Sequence, residues 1–227
     1  PPTSFINPIG TWNDNVSATM NLITLLENTN TKFMFCSTSE VYGNTCDGTK
    51  LKTDGVLLPA NPYGASKAAI DLYLQERFVN NKLNGFITRA FSHTGPRRGK
   101  IFSISSDAYQ IAKMKLGLQE KVLRIGNLQT ERVVLDVRDC VNSYYLLMMT
   151  EKSNGHVYNV CGEEIQKMQY YTDCLIEASE IPYEDIKQEI YKPFYRDIDI
   201  QIQIGDVDKL KEDTGWEPLI SIEKTMK

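Results

Sequence analysis

Tyr63 and Lys67 lie four residues apart in the run Asn61-Pro62-Tyr63-Gly64-Ala65-Ser66-Lys67. Asn-Pro marks a turn and proline sits readily just inside a helix start. The spacing therefore predicts a helix over residues 63–78, with both side chains on one face. A phenol ionises near about pH 10 in water, too high for proton transfer near neutrality. An ammonium held beside it favours the phenolate and lowers that value. The pair is a candidate acid/base unit. An exposed tyrosine with a solvated lysine gives the same spacing on any surface helix, so the assignment needs support from elsewhere in the chain.

That support precedes it, in Lys32-Phe33-Met34-Phe35-Cys36-Ser37-Thr38-Ser39-Glu40-Val41-Tyr42-Gly43. Four consecutive apolar residues predict a buried parallel strand, and the strand stops in small hydroxyl residues and one carboxylate. In open α/β sheets, ligands sit at the carboxyl ends of strands. Residues 85–90 predict the next buried strand, ending at the same edge in Ser92-His93-Thr94-Gly95, and a cationic turn follows in Pro96-Arg97-Arg98-Gly99-Lys100.

Other segments must position these groups. Residues 9–28 predict an amphipathic helix with Val16, Met20, Leu22 or Leu26, and Ile23 at helical spacing. The polar stretch 44–61 predicts a mobile loop over a binding site. A helix is expected near 105–118 and a short strand at 122–125. A strand at 132–137 and a helix at 138–149 are expected to return to the main sheet, and 156–160 to add a strand. In the closing Gly205 to Pro218 stretch, a helix is expected to stop at Gly215 with Trp216 packed beneath.

At 227 residues with a net charge of −4, the chain is long enough for one large domain or two small ones. It has no basic excess for nucleic acid and no apolar run near the about 18 residues that span a bilayer. With no secretory signal, a cytoplasmic location is expected. Five cysteines without C-x-x-C spacing argue against a disulfide framework or a zinc site. Cys36, Cys140 and Cys161 are expected in the core. Two histidines, His93 and His156, cannot form a metal cluster by themselves, and no metal is expected.

Three motifs together, S-T-S-E-V-Y-G at 37–43, N-P-Y-G-A-S-K at 61–67 and H-x-x-P-R-R-G at 93–99, resemble the extended short-chain dehydrogenase/reductase family. Within its nucleotide-sugar branch the chain resembles the GDP-mannose 4,6-dehydratases, and also the GDP-4-keto-6-deoxymannose reductases. The resemblance implies an α/β fold: a Rossmann-type doubly wound parallel sheet with a small C-terminal α/β substrate domain. Residues 1–92 with 132–162 would belong to the NAD(P)-binding domain, and 93–131 with 163–227 to the substrate domain. No G-x-x-G-x-x-G occurs here, and Ser4 to Pro8 resembles a segment midway through the family's first domain. The glycine-rich turn and first strands are accordingly expected upstream of Pro1.

The resemblance implies catalytic roles for Thr38, Glu40, Tyr63 and Lys67. Tyr63 would take the 4-hydroxyl proton of a hexose, Lys67 would lower the tyrosine pKa and bind the nicotinamide ribose, and Thr38 would hydrogen-bond the 4-oxygen. Glu40 would remove the C5 proton and assist loss of the 6-hydroxyl. NADP or NAD would be held by Ser37, Tyr63, Lys67 and His93. A nucleoside-diphosphate sugar, with a GDP-hexose favoured, would meet Ser92, Arg97, Arg132, Tyr195 and Arg196. Two positions depart from the family pattern: Ser92 replaces an asparagine, and Val133 replaces the acid that usually follows Arg132. Asn15 falls where the family has an asparagine that organises the active-site backbone. The family pairs through the helices of Ile9 and Tyr63, implying a homodimer or homotetramer. Alternatives are a 4-keto-sugar reductase or epimerase of the same fold, and a non-catalytic sugar-nucleotide-binding protein.

Overall fold

The structure, a computed structural model, describes residues 2–194 and 200–227. In chain order the strands are β1 (Lys32–Thr38), β2 (Asn84–Ala90), β3 (His93–Thr94), β4 (Val122–Ile125), β5 (Glu131–Val133), β6 (Leu135–Asp136), β7 (Val157–Val160), β8 (Ile165–Lys167), β9 (Lys187–Ile190) and β10 (Ile202–Gln203). The α-helices are α1 (Pro2–Ile6), α2 (Pro8–Trp12), α3 (Ala18–Leu26), α4 (Pro62–Val79), α5 (Ser103–Lys115), α6 (Val137–Met149), α7 (Met168–Ser179), α8 (Asp208–Thr214) and α9 (Ile222–Met226).

The apolar runs at 33–36 and 86–87 form the centre of a parallel three-stranded sheet of order β1-β2-β7. Lys32 aligns with Asn84 through to Thr38 with Ala90, so the hydroxyl-rich end of β1 and the approach to His93 share one edge. Alternation along the strands sends side chains to opposite faces. Phe35 and Ile87 pack under Ile70, Leu74 and Phe78 of α4 and Ile23 of α3. Phe86 and Tyr158 pack on the other face with Leu147 of α6 and Trp216. Gly215 ends α8 in the left-handed conformation, φ 69°, and Trp216 Nε1 donates to the Asp139 carbonyl at 3.0 Å.

Three expectations are corrected. Cys36 is exposed rather than buried, although Phe35 beside it, on the opposite face of β1, lies in the core. The strand expected at 132–137 does not rejoin the main sheet. It breaks into β5, which pairs with β8 and β10, and β6, which pairs with β3. The helix expected over 9–28 is interrupted by a π-helical turn at Asn13–Ser17 between α2 and α3, a local widening that often accompanies functional positions.

A second cluster joins Ile111 and Met114 of α5, Leu123 and Ile125 of β4, and Tyr171, Leu175 and Ile176 of α7. Ile204, Val207, Leu210 and Trp216 pack instead with the sheet residues. Beside the second cluster, Asp107 is 3 % exposed, and its Oδ2 accepts from Thr172 Oγ1 at 2.9 Å. Burial pushes this carboxyl up to about 7. A carboxyl raised in the folded state favours the protonated fold, so stability is fullest near pH 4, falls as pH climbs toward 7, and then levels. Between pH 5 and 8 the loss is expected to reach about 3 kcal/mol. Chemical denaturation at both pH values would show it, and Asp107→Asn should remove that slope. An unchanged slope in the variant would exclude Asp107 as its source.

Candidate active site

Thr38 closes β1 and turns the chain into a single 3-10 turn, Ser39–Tyr42, by accepting the Glu40 amide at 3.3 Å on its own hydroxyl. Glu40 is thereby aimed out of the sheet end. The turn is pinned from the far end of the chain, where Ser39 Oγ donates to Gln203 Oε1 and Gln203 Nε2 returns a bond to the Ser39 carbonyl, each at 2.9 Å. Asn61 caps α4, its Oδ1 accepting from Gly64 N at 2.8 Å, and its Nδ2 donates to Glu40 Oε2 at 2.7 Å. The first turn of α4 leans directly on the acid's backbone: a Cβ built on Gly64 would fall 2.7 Å from the Glu40 carbonyl oxygen.

Tyr63 and Lys67 follow on α4, both half-buried. The Thr38 hydroxyl and the Glu40 charge both act on the Tyr63 phenol. Burial raises the phenol above its ordinary value, Thr38 pulls it down and Glu40 adds to the rise. The expected lowering of Tyr63 by Lys67 is not found. The ammonium instead donates to the Cys36 carbonyl at 2.7 Å and lies 4.5 Å from the Phe35 ring centroid, and burial lowers its own pKa. The helical face is shared as the spacing requires, but the strand carbonyl has captured the cation.

Asn15 in the π-helical turn donates to Ser66 Oγ at 2.9 Å, and that hydroxyl donates to the Tyr63 carbonyl at 2.8 Å. The asparagine thus supports the backbone beneath the tyrosine. Ser37 is buried, and its Oγ has no hydrogen-bond partner. His93 Nδ1 lies 2.9 Å from the Phe91 carbonyl. A carbonyl only accepts, so Nδ1 carries the proton. Burial and the nearby Arg98 charge keep the ring neutral, leaving Nε2 as an acceptor.

Of the two adjacent arginines, Arg97 is exposed in the left-handed region, φ 71°. Arg98 is the one turned inward: it stacks 4.2 Å from the Phe102 ring centroid, bears on His93, and has its pKa lowered by burial. Arg132 donates to the Glu131 carbonyl at 2.8 Å and reaches the Gln201 carbonyl at 3.4 Å, so it sits at the β5-β10 junction, while Ser92 is half-buried just before β3. Tyr195 and Arg196 lie outside the described residues. Thr38, Glu40 and Tyr63 are therefore brought together, Lys67 stands one turn along on the strand carbonyl, and Ser37 and His93 occupy the same sheet edge. Asn61 and Gln203 join the site through contacts that sequence spacing does not show. For Asn61 the available signal is an asparagine directly before a proline-started helix, the usual N-cap arrangement; Gln203 carries none.

Comparison with known proteins places the chain in a family. A model of the family described as GDP-mannose 4,6 dehydratase matches residues 1–227. The GDP-6-deoxy-D-mannose reductase of Pseudomonas aeruginosa is 30% identical over 229 residues, covering 100% of this chain and 74% of that protein. GDP-mannose 4,6 dehydratase 1 of Arabidopsis thaliana is 30% identical over 199 residues, 86% of this chain but 53% of its own length. The chain thus spans about half of that plant relative. The structure of RMD from Pseudomonas aeruginosa complexed with NADPH superposes with a TM-score of 0.90 at 28% identity, covering 99% of this chain and 74% of that one. The dTDP-glucose 4,6-dehydratase DesIV of Streptomyces venezuelae, with NAD and TYD bound, shares the fold at a TM-score of 0.83 and 20% identity, covering 99% of this chain and 68% of that one. The parallel sheet is thus part of a Rossmann-type α/β fold, and with the family model covering every residue, this chain belongs to the GDP-mannose 4,6 dehydratase family.

Proposed function

We propose that the full-length protein is an NAD(P)-dependent 4,6-dehydratase of a nucleoside-diphosphate hexose, with a GDP-hexose as substrate. The observation that carries this reading is Glu40, a carboxylate fixed by Asn61 and close enough to bear on the Tyr63 phenol. Chemistry at C4 alone needs one acid/base group. Elimination across C5 and C6 needs a second, and Glu40 supplies it.

The residues suit a nicotinamide cofactor: Ser37 presents a buried hydroxyl without a partner, His93 an Nε2 acceptor, and Tyr63 and Lys67 flank the same strand end. These four would hold it, and when bound it supplies reversible hydride transfer. Tyr63 takes the proton from the 4-hydroxyl while Thr38 holds the 4-oxygen by a hydrogen bond. A 4-ketone acidifies the C5 proton; Glu40 removes it and hands it to the departing 6-hydroxyl, which leaves as water, and the 5,6-ene so formed would regain at C6 the hydride given up from C4 and at C5 a solvent proton. Arg98, with Arg97 and Arg132, places cations for a diphosphate, and Ser92 faces the sugar in place of the usual asparagine. Tyr195 and Arg196 are proposed contacts to the nucleotide. Exposed Phe5, Ile9, Trp12 and Leu72 on the neighbouring helices α1, α2 and α4 support pairing of two copies.

A specific observation favours a second reading, 4-ketosugar reduction. Burial and Glu40 both keep the proton on Tyr63, as a proton donor to a ketone requires. Incubating the full-length protein with GDP-mannose and substoichiometric NADP is expected to yield a 4-keto sugar nucleotide with no net change in the nicotinamide. No product there, together with stoichiometric NADPH oxidation on a 4-keto-6-deoxy sugar nucleotide, would establish the reductase instead.

A further inference from the structure

Of the two side-chain hydrogen bonds of Asn61 one is accepted and one donated, with different consequences. Its oxygen completes the first turn of α4, at Gly64 N, 2.8 Å away. That acceptor alone is what an N-cap needs, and serine or aspartate would serve equally well there. Its nitrogen does something a cap does not require: Nδ2 donates to Glu40 Oε2 at 2.7 Å, across 21 positions of sequence. Serine offers one short hydroxyl and aspartate has no donor, so neither can cap the helix and reach the acid as an amide does.

The contact lies where relative placement matters most. The cap belongs to the helix that carries Tyr63 and Lys67, and the acid belongs to the turn that closes β1. With Gly64 allowing the helix backbone to press on the Glu40 carbonyl, Asn61 adds a side-chain strut at the same junction. A carboxylate on a flexible two-carbon stem has several rotamers, and an amide donor on one oxygen selects among them while the other oxygen stays open to a further partner.

We infer that Asn61 is a positioning residue for the reaction: by one side chain it caps the tyrosine helix and orients the Glu40 carboxylate toward the hexose. This inference rests on the reading of Glu40 as the second acid/base group. Three variants of the full-length protein separate the possibilities. Asn61→Ser keeps a good cap but loses the donor. It is expected to retain the wild-type melting temperature and KM while kcat falls about tenfold to a hundredfold. Asn61→Asp also caps well but sets a second carboxylate against the first. Two such groups share one proton, so the acidic limb of the kcat profile is expected to move upward by about one pH unit or more. Glu40→Gln is expected to cost at least about a hundredfold in kcat. If Glu40→Gln is inactive while Asn61→Ser keeps wild-type kcat and Asn61→Asp keeps the wild-type profile, Asn61 is only a cap and the inference falls alone. If Glu40→Gln retains wild-type kcat, the dehydratase reading and the inference fall together.

Discussion

Replacing Tyr63 with phenylalanine is expected to lower kcat about a hundredfold to ten-thousandfold, the range lost when a positioned proton-transfer group is removed. The substitution deletes one oxygen from a half-buried ring and leaves the helix supports in place. Ile70, Leu74 and Phe78 anchor α4 in the core, and Asn61 caps it. The melting temperature should therefore stay near wild type while turnover collapses. The pH dependence carries further information, because burial and the Glu40 charge raise the Tyr63 phenol above its ordinary value. A raised phenol keeps its proton through neutral pH. If it must act as a base in the forward direction, the rate should climb through pH 7 to 9 as more phenolate forms. If it donates a proton to a ketone, the rate should stay level there and fall only at more alkaline pH. Steady-state kinetics of wild type and Tyr63→Phe over that range measure both effects. A variant within tenfold of wild type would remove Tyr63 from the chemistry.

How much of this site the sequence reveals depends on how local the determining physics is. The β1 strand, its hydroxyl-rich end and the Tyr63-Lys67 helix are readable because apolar runs, turn residues and helical spacing act over a few positions. Cys36 escapes that logic. Four apolar letters predict burial, but the two faces of a strand are covered independently, by segments distant in sequence, and only the Phe35 face is packed at this point. The arginine pair fails for a related reason: identical side chains stand next to each other, and the left-handed turn at Arg97 decides that Arg98 faces His93. The shared face puts Lys67 beside Tyr63, but spacing says nothing of the Cys36 carbonyl that accepts its hydrogen bond. Asn61 illustrates the limit most clearly. Its cap is local and visible, whereas its bond to Glu40 exists only because residues 44–60 loop out and return the chain to the turn they left.

That loop is anchored by a buried charge pair whose disruption should produce the largest loss of stability in the molecule. Arg89 in β2 and Asp71 in α4 are 1% and 0% exposed and meet through two parallel bonds, Nε to Oδ2 at 2.9 Å and Nη2 to Oδ1 at 2.8 Å. The remaining guanidinium nitrogen donates to the Thr53 carbonyl at 2.7 Å and to Tyr42 Oη at 2.9 Å. Tyr42 passes a bond to Asn159, whose amide reaches the Leu51 carbonyl at 2.7 Å. One cation therefore ties together the central strand, the tyrosine helix, the turn two residues beyond Glu40 and two carbonyls of the loop. Arg89→Met fills much of the same space but leaves the Asp71 charge in the core with the Gln75 amide bonded to it and the Lys67 charge acting on it through space. The expected cost is about 3–5 kcal/mol, the penalty for stranding one member of a buried pair. Because the cost comes from the stranded charge, Arg89→Met combined with Asp71→Leu should recover most of it, as apolar replacements of a whole buried pair often do. Loop anchoring would not return with it: Thr53 and Tyr42 lack their donor in both variants. Denaturant titration should show the double variant approaching wild-type stability, while limited proteolysis should still cut faster within residues 44–60. A double variant as unstable as Arg89→Met would mean that the hydrogen bonds to the loop, rather than the unpaired carboxylate, set the penalty.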